Sequence, residues 1–60
     1  MNNQQKYLTP VELAERLRRP EGTIRNWRWK GFGPKWVKLG KHVLYPLDEV
    51  EKWELERVMG

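Results

Sequence analysis

Pro20 separates two helix-forming segments and limits this part of the chain to two short helices joined by a tight turn. Proline has no backbone N–H to donate, so it cannot continue the first helix. Its fixed backbone angle nevertheless suits the start of a second helix. Residues 19–22 are therefore predicted to form the turn of a helix-turn-helix, in which only a few residues join the two helices.

The first helix has several agreeing features at its start. Thr9 suits the N-cap, Pro10 suits the first helical position, and Glu12 is spaced to complete a capping box with Thr9. The helix is predicted to end at about Arg18. Its apolar positions follow the helical period, and we expect them to pack on the core: Leu13, Ala14 and Leu17.

The second helix is predicted over residues 21–30, with Gly31 as its C-cap. At roughly 100° per residue, its side chains divide between two faces. Ile24 and Trp27 point toward the core, and Arg28 lies on their side of the helix. The opposite face is predicted to carry Gly22, Arg25, Asn26 and Trp29.

After Gly33-Pro34 the pattern changes to a period of two, which predicts a short β-hairpin, or wing. Its strands cover residues 36–39 and 43–45, they are joined around residues 40–42, and Pro46 ends the second strand. Trp36 and Leu44 alternate onto the outward face, where adjacent apolar groups are typical of a protein contact. The alternative is that both fold back over the third helix. The inward positions are predicted to be Val37, Leu39, Val43 and Tyr45.

A third helix is predicted over residues 47–58, and it packs through Leu47, Val50, Trp53 and Val58. The fold class is therefore small α+β. It is a winged helix-turn-helix of three helices and a two-stranded hairpin, in the order α-α-β-β-α. The domain spans residues 7–60 and follows a flexible start over residues 1–6.

The net charge of +4 is unevenly distributed along the chain. Residues 16–41 hold nine Lys or Arg and a single acid, whereas residues 48–57 hold five acids and two basic residues. A segregated basic surface is expected of a protein that binds a polyanion. The alternative is a generic solubilising surface, which does not require the signs to be segregated.

Composition argues against other functions. The chain has no cysteine and one histidine, so neither a disulfide nor a metal site is expected. No apolar run reaches the roughly 20 residues of a membrane span. The start does not resemble a signal peptide, so a cytosolic protein is expected. The acidic residues solvate the third helix, and no catalytic set is present, so we expect no enzyme, cofactor or small-molecule substrate. A protein-interaction module stays open as an alternative.

The outer face of the second helix carries residue types that bind duplex DNA. Arg25 can pair with guanine and Asn26 with adenine, unless they contact only phosphates or solvent. Thr23 either contacts a thymine methyl or a phosphate, or caps the helix locally. Gly22 either admits a phosphate at the helix N-terminus or serves turn geometry. The candidates for phosphate contacts outside the wing are Arg16, Arg18, Arg19, Lys30 and Lys35, and the alternative for each is a solvated side chain. The wing adds Lys38 and Lys41, with Lys41 at the tip as the best candidate for a groove or backbone contact and His42 as a polar neighbour there.

Trp29 shares the face of Arg25 and Asn26, so the core explains it least among the aromatic residues. One interpretation packs it on a sugar or a thymine methyl of DNA. The other folds it over the Gly33-Pro34 turn, and we favour this second interpretation.

One ordered set of residues covers positions 7–54: Leu8-Thr9, Ala14, Leu17, Thr23-Ile24, Trp27, Gly31, Gly33-Pro34, Lys38, Gly40, Val43, Tyr45, Asp48 and Trp53. This set resembles the excisionase-type branch of MerR-like winged helix-turn-helix domains. The resemblance implies that the second helix enters the major groove and that the wing contacts the flanking backbone or minor groove. Many relatives carry Arg where this chain has Leu44, so a wing contact by that Arg is not implied here.

The resemblance also implies a function. Several copies of a phage excisionase bind neighbouring sites, bend the DNA and help an integrase choose excision over integration. Such a protein acts on double-stranded DNA in the bacterial cytoplasm, in association with the nucleoid. The short chain leaves little room beyond a DNA-binding domain, which favours this function. A small phage or prophage transcriptional regulator with the same DNA-binding surface is the alternative.

Overall fold

A computed structural model describes residues 6–59 and, in the last helix, the side chains as far as Arg57. Six elements follow one another: β1 (Tyr7–Leu8), α1 (Pro10–Leu17), α2 (Glu21–Lys30), β2 (Val37–Leu39), β3 (His42–Pro46) and α3 (Leu47–Met59). The strands form an antiparallel sheet in the order β1-β3-β2. The fold is the predicted small α+β domain with a helix-turn-helix and a hairpin, with β1 added. We refer to residues 37–46 as the wing.

Backbone and side-chain caps define the two helices of the helix-turn-helix, as the sequence predicts. The Thr9 hydroxyl accepts a hydrogen bond from the Glu12 amide, and the Glu12 carboxylate accepts one from the Thr9 amide. The first helix ends at Arg18, which adopts a left-handed conformation with φ 58°. Pro20 is the extended N-cap of α2, so the two helices change direction within three residues.

Strand β1 was not predicted, and it lies directly after the expected flexible start of residues 1–6. Tyr7 pairs with Pro46 and Leu8 pairs with Tyr45. The carbonyl of Lys6 accepts a hydrogen bond from the Leu47 amide at 2.9 Å, so the backbone of Lys6 is tied to the start of α3. A two-residue strand is too short to produce a period-two pattern, which explains why the sequence did not reveal it. The rest of the predicted flexible start, residues 1–5, lies outside the described residues.

The predicted inward positions of Val37 and Leu39 are wrong. In the structure Val37 pairs with Leu44, and Leu39 pairs with His42, so these residues lie on the face opposite Val43 and Tyr45. The hairpin loop contains two residues rather than the three predicted, and a slip of one residue turns every side chain of a strand to the other face. Gly40 has φ 62° at the first loop position, where a two-residue turn of this kind needs glycine.

The observed register also shows that Trp36 and Leu44 do not form the predicted outward pair. Leu44 is partly buried and shares its face with the exposed side chains of Val37 and Leu39. Trp36 precedes β2 and is 42% exposed. The apolar surface on this side of the sheet is therefore centred on β2 and not on Trp36 with Leu44. We refer to Val37, Leu39 and Leu44 as the outer sheet face.

The core lies where α1, α2 and α3 cover β3. Its buried residues are Leu13, Ala14, Ile24, Tyr45 and Val50, and Leu8, Leu17, Trp27 and Val43 pack against them. The predicted helical faces therefore supply the core. Trp53 is only partly buried, because it packs on the edge of the core against Trp27. The predicted contact of Val58 lies outside the described side chains.

One ion pair ties α1 to α3. Nε and Nη2 of Arg16 donate hydrogen bonds to the two carboxylate oxygens of Glu54, at 2.7 and 2.9 Å. These bonds lower the pKa of the Glu54 carboxyl and raise that of the Arg16 guanidinium. Arg16 was predicted to be free for a phosphate, and Glu54 was predicted only to solvate α3. The structure instead pairs them, because the fold brings together residues 38 positions apart.

Replacing Glu54 with Gln should lower the free energy of unfolding at neutral pH by less than about 1 kcal/mol, since the pair is partly exposed to solvent. Hydrogen bonds from Arg16 depress the folded-state pKa of Glu54, so its stabilisation is present above the unfolded pKa of the carboxyl and is lost as pH falls through the folded pKa. Denaturant unfolding at pH 7 and pH 3 should show the difference between wild type and E54Q shrinking in acid. The variant E56Q, on the exposed face of α3, controls for loss of one charge. A difference that persists at pH 3 would contradict the ion-pair explanation.

Candidate nucleic-acid interface

The outer side of α2 forms a continuous open surface. It is lined by Gly22, Thr23, Arg25, Asn26 and Trp29, which we call the recognition face. Arg25 and Asn26 are exposed, and Trp29 is 87% exposed. On the opposite side, Ile24 is fully buried. Burial of one stripe of the helix therefore holds two hydrogen-bonding side chains and an indole ring in solvent.

The predicted packing of Trp29 over the turn after α2 is wrong, because Trp27 occupies that place. A Cβ atom on Gly33 would lie 3.0 Å from Cε3 of Trp27, and Gly33 has φ 98°. Gly31 ends the helix, and the Phe32 amide donates to the Trp27 carbonyl. With the turn closed on Trp27, the side chain of Trp29 has no partner on the described part of the protein to cover it.

An aromatic cluster fixes the end of α2 against α3. The ring centroids of Trp27 and Phe32 are 5.2 Å apart, and those of Trp27 and Trp53 are 5.5 Å apart. The guanidinium carbon of Arg57 lies 4.6 Å from the Phe32 ring centroid and 5.2 Å from that of Trp53. Such ring and cation contacts stabilise the C-terminal end of α2 and hold the recognition face in a fixed orientation.

The N-terminus of α2 has no side-chain cap, and Glu21 lies in its first turn. Pro20 provides no side-chain cap, and Thr23 does not supply one, which contradicts the alternative that Thr23 caps this helix. Gly22 lies within the helix without a positive φ, and a Cβ there would meet nothing within 4 Å. Turn geometry therefore does not require Gly22. Uncapped N–H groups and the helix dipole favour a negative group such as a phosphate at this end.

The wing places its basic residues in solvent. Lys38, Lys41 and His42 are exposed, and Lys41 is the second residue of the two-residue loop. Between the wing and α2 runs a groove, which we call the wing groove. It is lined by Thr9, Pro10, Arg28, Leu39, Lys41, His42, Val43 and Leu44. The wing tip and the recognition helix thus border a common depression.

Arg28 lies at the wing groove, although the helical period predicts it on the core side of α2. It is partly buried, and its Nη1 donates a hydrogen bond to the Tyr45 hydroxyl at 3.2 Å. Its position on the helical wheel lies beside Arg25, at the margin between the buried stripe and the recognition face. A charged residue on an otherwise apolar stripe is the sequence feature that marks it.

Three other candidate contacts do not line the recognition face. Arg19 is exposed but lines a different groove, which is formed with the aromatic cluster and Arg57. Lys30 is exposed at the last position of α2, and Lys35 is exposed beside α3. The structure therefore brings together Gly22, Thr23, Arg25, Asn26 and Trp29, and sets Lys41 and His42 across the wing groove. It leaves Arg19 and Lys35 apart from both.

The chain belongs to the helix-turn-helix domain family, whose model matches residues 7–57. This family includes excisionase-like DNA-binding proteins, and its membership assigns double-stranded DNA binding to the chain. No curated protein and no solved structure matches the chain. None of the helices described is both long enough and apolar enough to cross a membrane.

Replacing Arg25 with Ala should weaken binding to the preferred DNA site by about 1–3 kcal/mol and relax preference at one base pair, because a bidentate contact to guanine would be lost. Binding should be measured on the preferred site and on single-base variants of it. Arg19→Ala, in the other groove, should leave base preference intact. An equal loss of affinity for every sequence on Arg25→Ala would mean that Arg25 contacts only phosphate.

Replacing Lys41 with Ala should weaken binding to all sequences by a similar factor. The slope of log affinity against log salt should fall by about one unit, since one phosphate contact releases about one counterion. Lys52→Ala, on α3, removes the same charge away from the wing and should leave the slope unchanged. A slope unaltered by Lys41→Ala would mean that the wing tip does not touch the DNA backbone.

Proposed function

We propose that the chain binds duplex DNA sequence-specifically through the recognition face, with Arg25 and Asn26 hydrogen-bonded to base edges and Trp29 packed against a sugar or a thymine methyl. The observation that carries this proposal is the 87% exposure of Trp29 beside two exposed base-reading side chains. A large apolar ring gains free energy when it leaves water, so its exposure in the free protein favours a partner at this face.

Charge distribution supports a polyanion as that partner. The recognition face and the wing groove contain basic residues and no carboxylate among their lining residues. The carboxylates are concentrated on α3, where Glu54 neutralises Arg16. Glu21 lies in the first turn of α2, but a duplex that contacts the recognition face and the wing groove meets no carboxylate in their linings, which favours association and its orientation.

The finer proposal is an excisionase-type architectural function. In it, several copies occupy neighbouring sites, bend the DNA and direct a phage integrase toward excision. Family membership supports this, and so does the small contact that one recognition helix can make, since single modules bury only about 600–1,000 Å². Contacts between neighbouring copies raise effective concentration and so compensate for that small area. The candidate surfaces are the outer sheet face, Trp36 and the acidic α3.

Titration with duplex DNA at two salt concentrations tests the DNA-binding proposal. Binding should weaken steeply as salt rises, with a slope that reflects the number of phosphates contacted. The double variant Arg25→Ala, Trp29→Ala should bind more weakly and should unfold at the wild-type temperature, because both side chains are exposed. Salt-independent or absent binding would instead favour a protein-interaction module.

The architectural proposal predicts a monomer when free and cooperative loading on DNA. Sedimentation of the free protein should give a single 7.3 kDa species. Mobility shifts should give tighter binding per site on a duplex with adjacent sites than on a duplex with one site. Circularly permuted fragments should reveal bending, and recombination with an integrase should shift toward excision. A stable dimer without DNA, or equal affinity per site on the two duplexes, would favour a dimeric transcriptional regulator.

A further inference from the structure

The wing groove contains an arginine without a counter-ion. Arg28 is partly buried, and its one hydrogen bond among the described residues goes to the neutral hydroxyl of Tyr45. The ion pair between α1 and α3 joins Arg16 to Glu54 and does not involve Arg28. A guanidinium has five N–H donors, so most of the donor capacity of Arg28 is unused.

The surroundings of Arg28 are basic as well. Lys41 and His42 line the same groove, and no Asp or Glu does. The groove is bounded by three elements: the start of α1 at Thr9 and Pro10, the flank of α2, and the wing. A partly buried guanidinium with unused donors, in a groove without a carboxylate, favours an anion that enters the groove.

We propose that the wing groove is a binding site for one phosphate group of the DNA backbone, with Arg28 as its main ligand and Lys41 at its outer margin. This inference depends on the proposed function, because the phosphate belongs to the duplex bound at the recognition face. Arg28 follows Arg25 by almost one helical turn, so a base contact by Arg25 brings the adjoining backbone toward the wing.

Tyr45 gives the site its geometry. Tyr45 is 1% exposed, and its hydroxyl accepts a hydrogen bond from Nη1 of Arg28, which orients the guanidinium at the groove. Arginine can bind two phosphate oxygens at once through its planar fork, whereas lysine acts as a point charge. Tyr45 is therefore a positioning residue, and Arg28 is the residue that touches the phosphate.

The test combines Arg28 variants with neutral phosphates. A duplex is selected from a random-sequence pool by binding to the wild-type protein, and single methylphosphonate groups are introduced in turn along both strands. Arg28→Met should lower affinity about tenfold or more for all sequences and reduce the salt slope by about one unit. One methylphosphonate should weaken the wild type but have no further effect on Arg28→Met. Lys52→Met, on α3, serves as the matched charge control and should behave as wild type.

Two further variants separate contact from folding. Arg28→Lys keeps the charge and should restore the salt slope, with affinity between those of wild type and Arg28→Met. Tyr45→Phe should keep the salt slope and lose part of the affinity. Thermal unfolding of each variant identifies any that fail to fold, and the methylphosphonate scan on the wild type needs no variant.

The outcomes distinguish this inference from the proposed function. If the wild type binds duplex DNA and loses base preference on Arg25→Ala, but Arg28→Met keeps the full salt slope and the wild-type methylphosphonate pattern, the phosphate site is wrong and the recognition face stands. If the wild type shows no salt-dependent duplex binding, both proposals are overturned.

Discussion

The buried residue Tyr45 contacts both the sheet and α2, and the strand that carries it packs against α1 and α3. It lies in β3, the central strand, which pairs with β1 and β2 and packs against α1 and α3. Its ring is 1% exposed, its backbone pairs with Leu8, and its hydroxyl accepts a hydrogen bond from Arg28 of α2. One side chain therefore links the sheet, the wing and the recognition helix. Because interiors are close-packed, the relative position of wing and helix is fixed by this packing rather than by the hairpin itself.

The helices could be predicted from capping residues close in sequence, whereas the sheet depends on pairing between distant residues and was harder to predict. The Thr9–Glu12 capping box, Pro20 and Gly31 act within a few residues of themselves, so the bounds of α1 and α2 follow from sequence spacing. The register of the wing depends instead on whether the loop has two or three residues. A two-residue loop and a three-residue loop both fit the sequence around Gly40. The change from three to two residues moves Val37 and Leu39 to the opposite face of the sheet. Strand β1 forms only because β3 offers it an edge.

In the candidate site, too, some features follow from local sequence and others depend on residues far apart in the chain. Helical periodicity was enough to predict that Arg25, Asn26 and Trp29 share an exposed face opposite Ile24. It was not enough to decide which tryptophan closes the turn at Gly33, since that depends on Phe32 and Trp53 holding Trp27 from the other side. Nor did it reveal the partners of Arg16 and Arg28, which come from residues 38 and 17 positions away.

Those two arginines explain how a small basic domain presents one side to DNA. Both are partly covered side chains on neighbouring helices, yet Arg16 meets the carboxylate of Glu54 whereas Arg28 meets only a neutral hydroxyl. An ion pair contributes little net field beyond about a Debye length, roughly 8–10 Å at ordinary salt. The Glu54 carboxylate of α3 therefore cancels the charge of Arg16, whereas no carboxylate lines the recognition face or the wing groove. If all the acids were spread evenly, the net charge would be the same, but the attraction to a polyanion would have no preferred direction. Segregation of the acids on α3 thus orients the domain before any base is read.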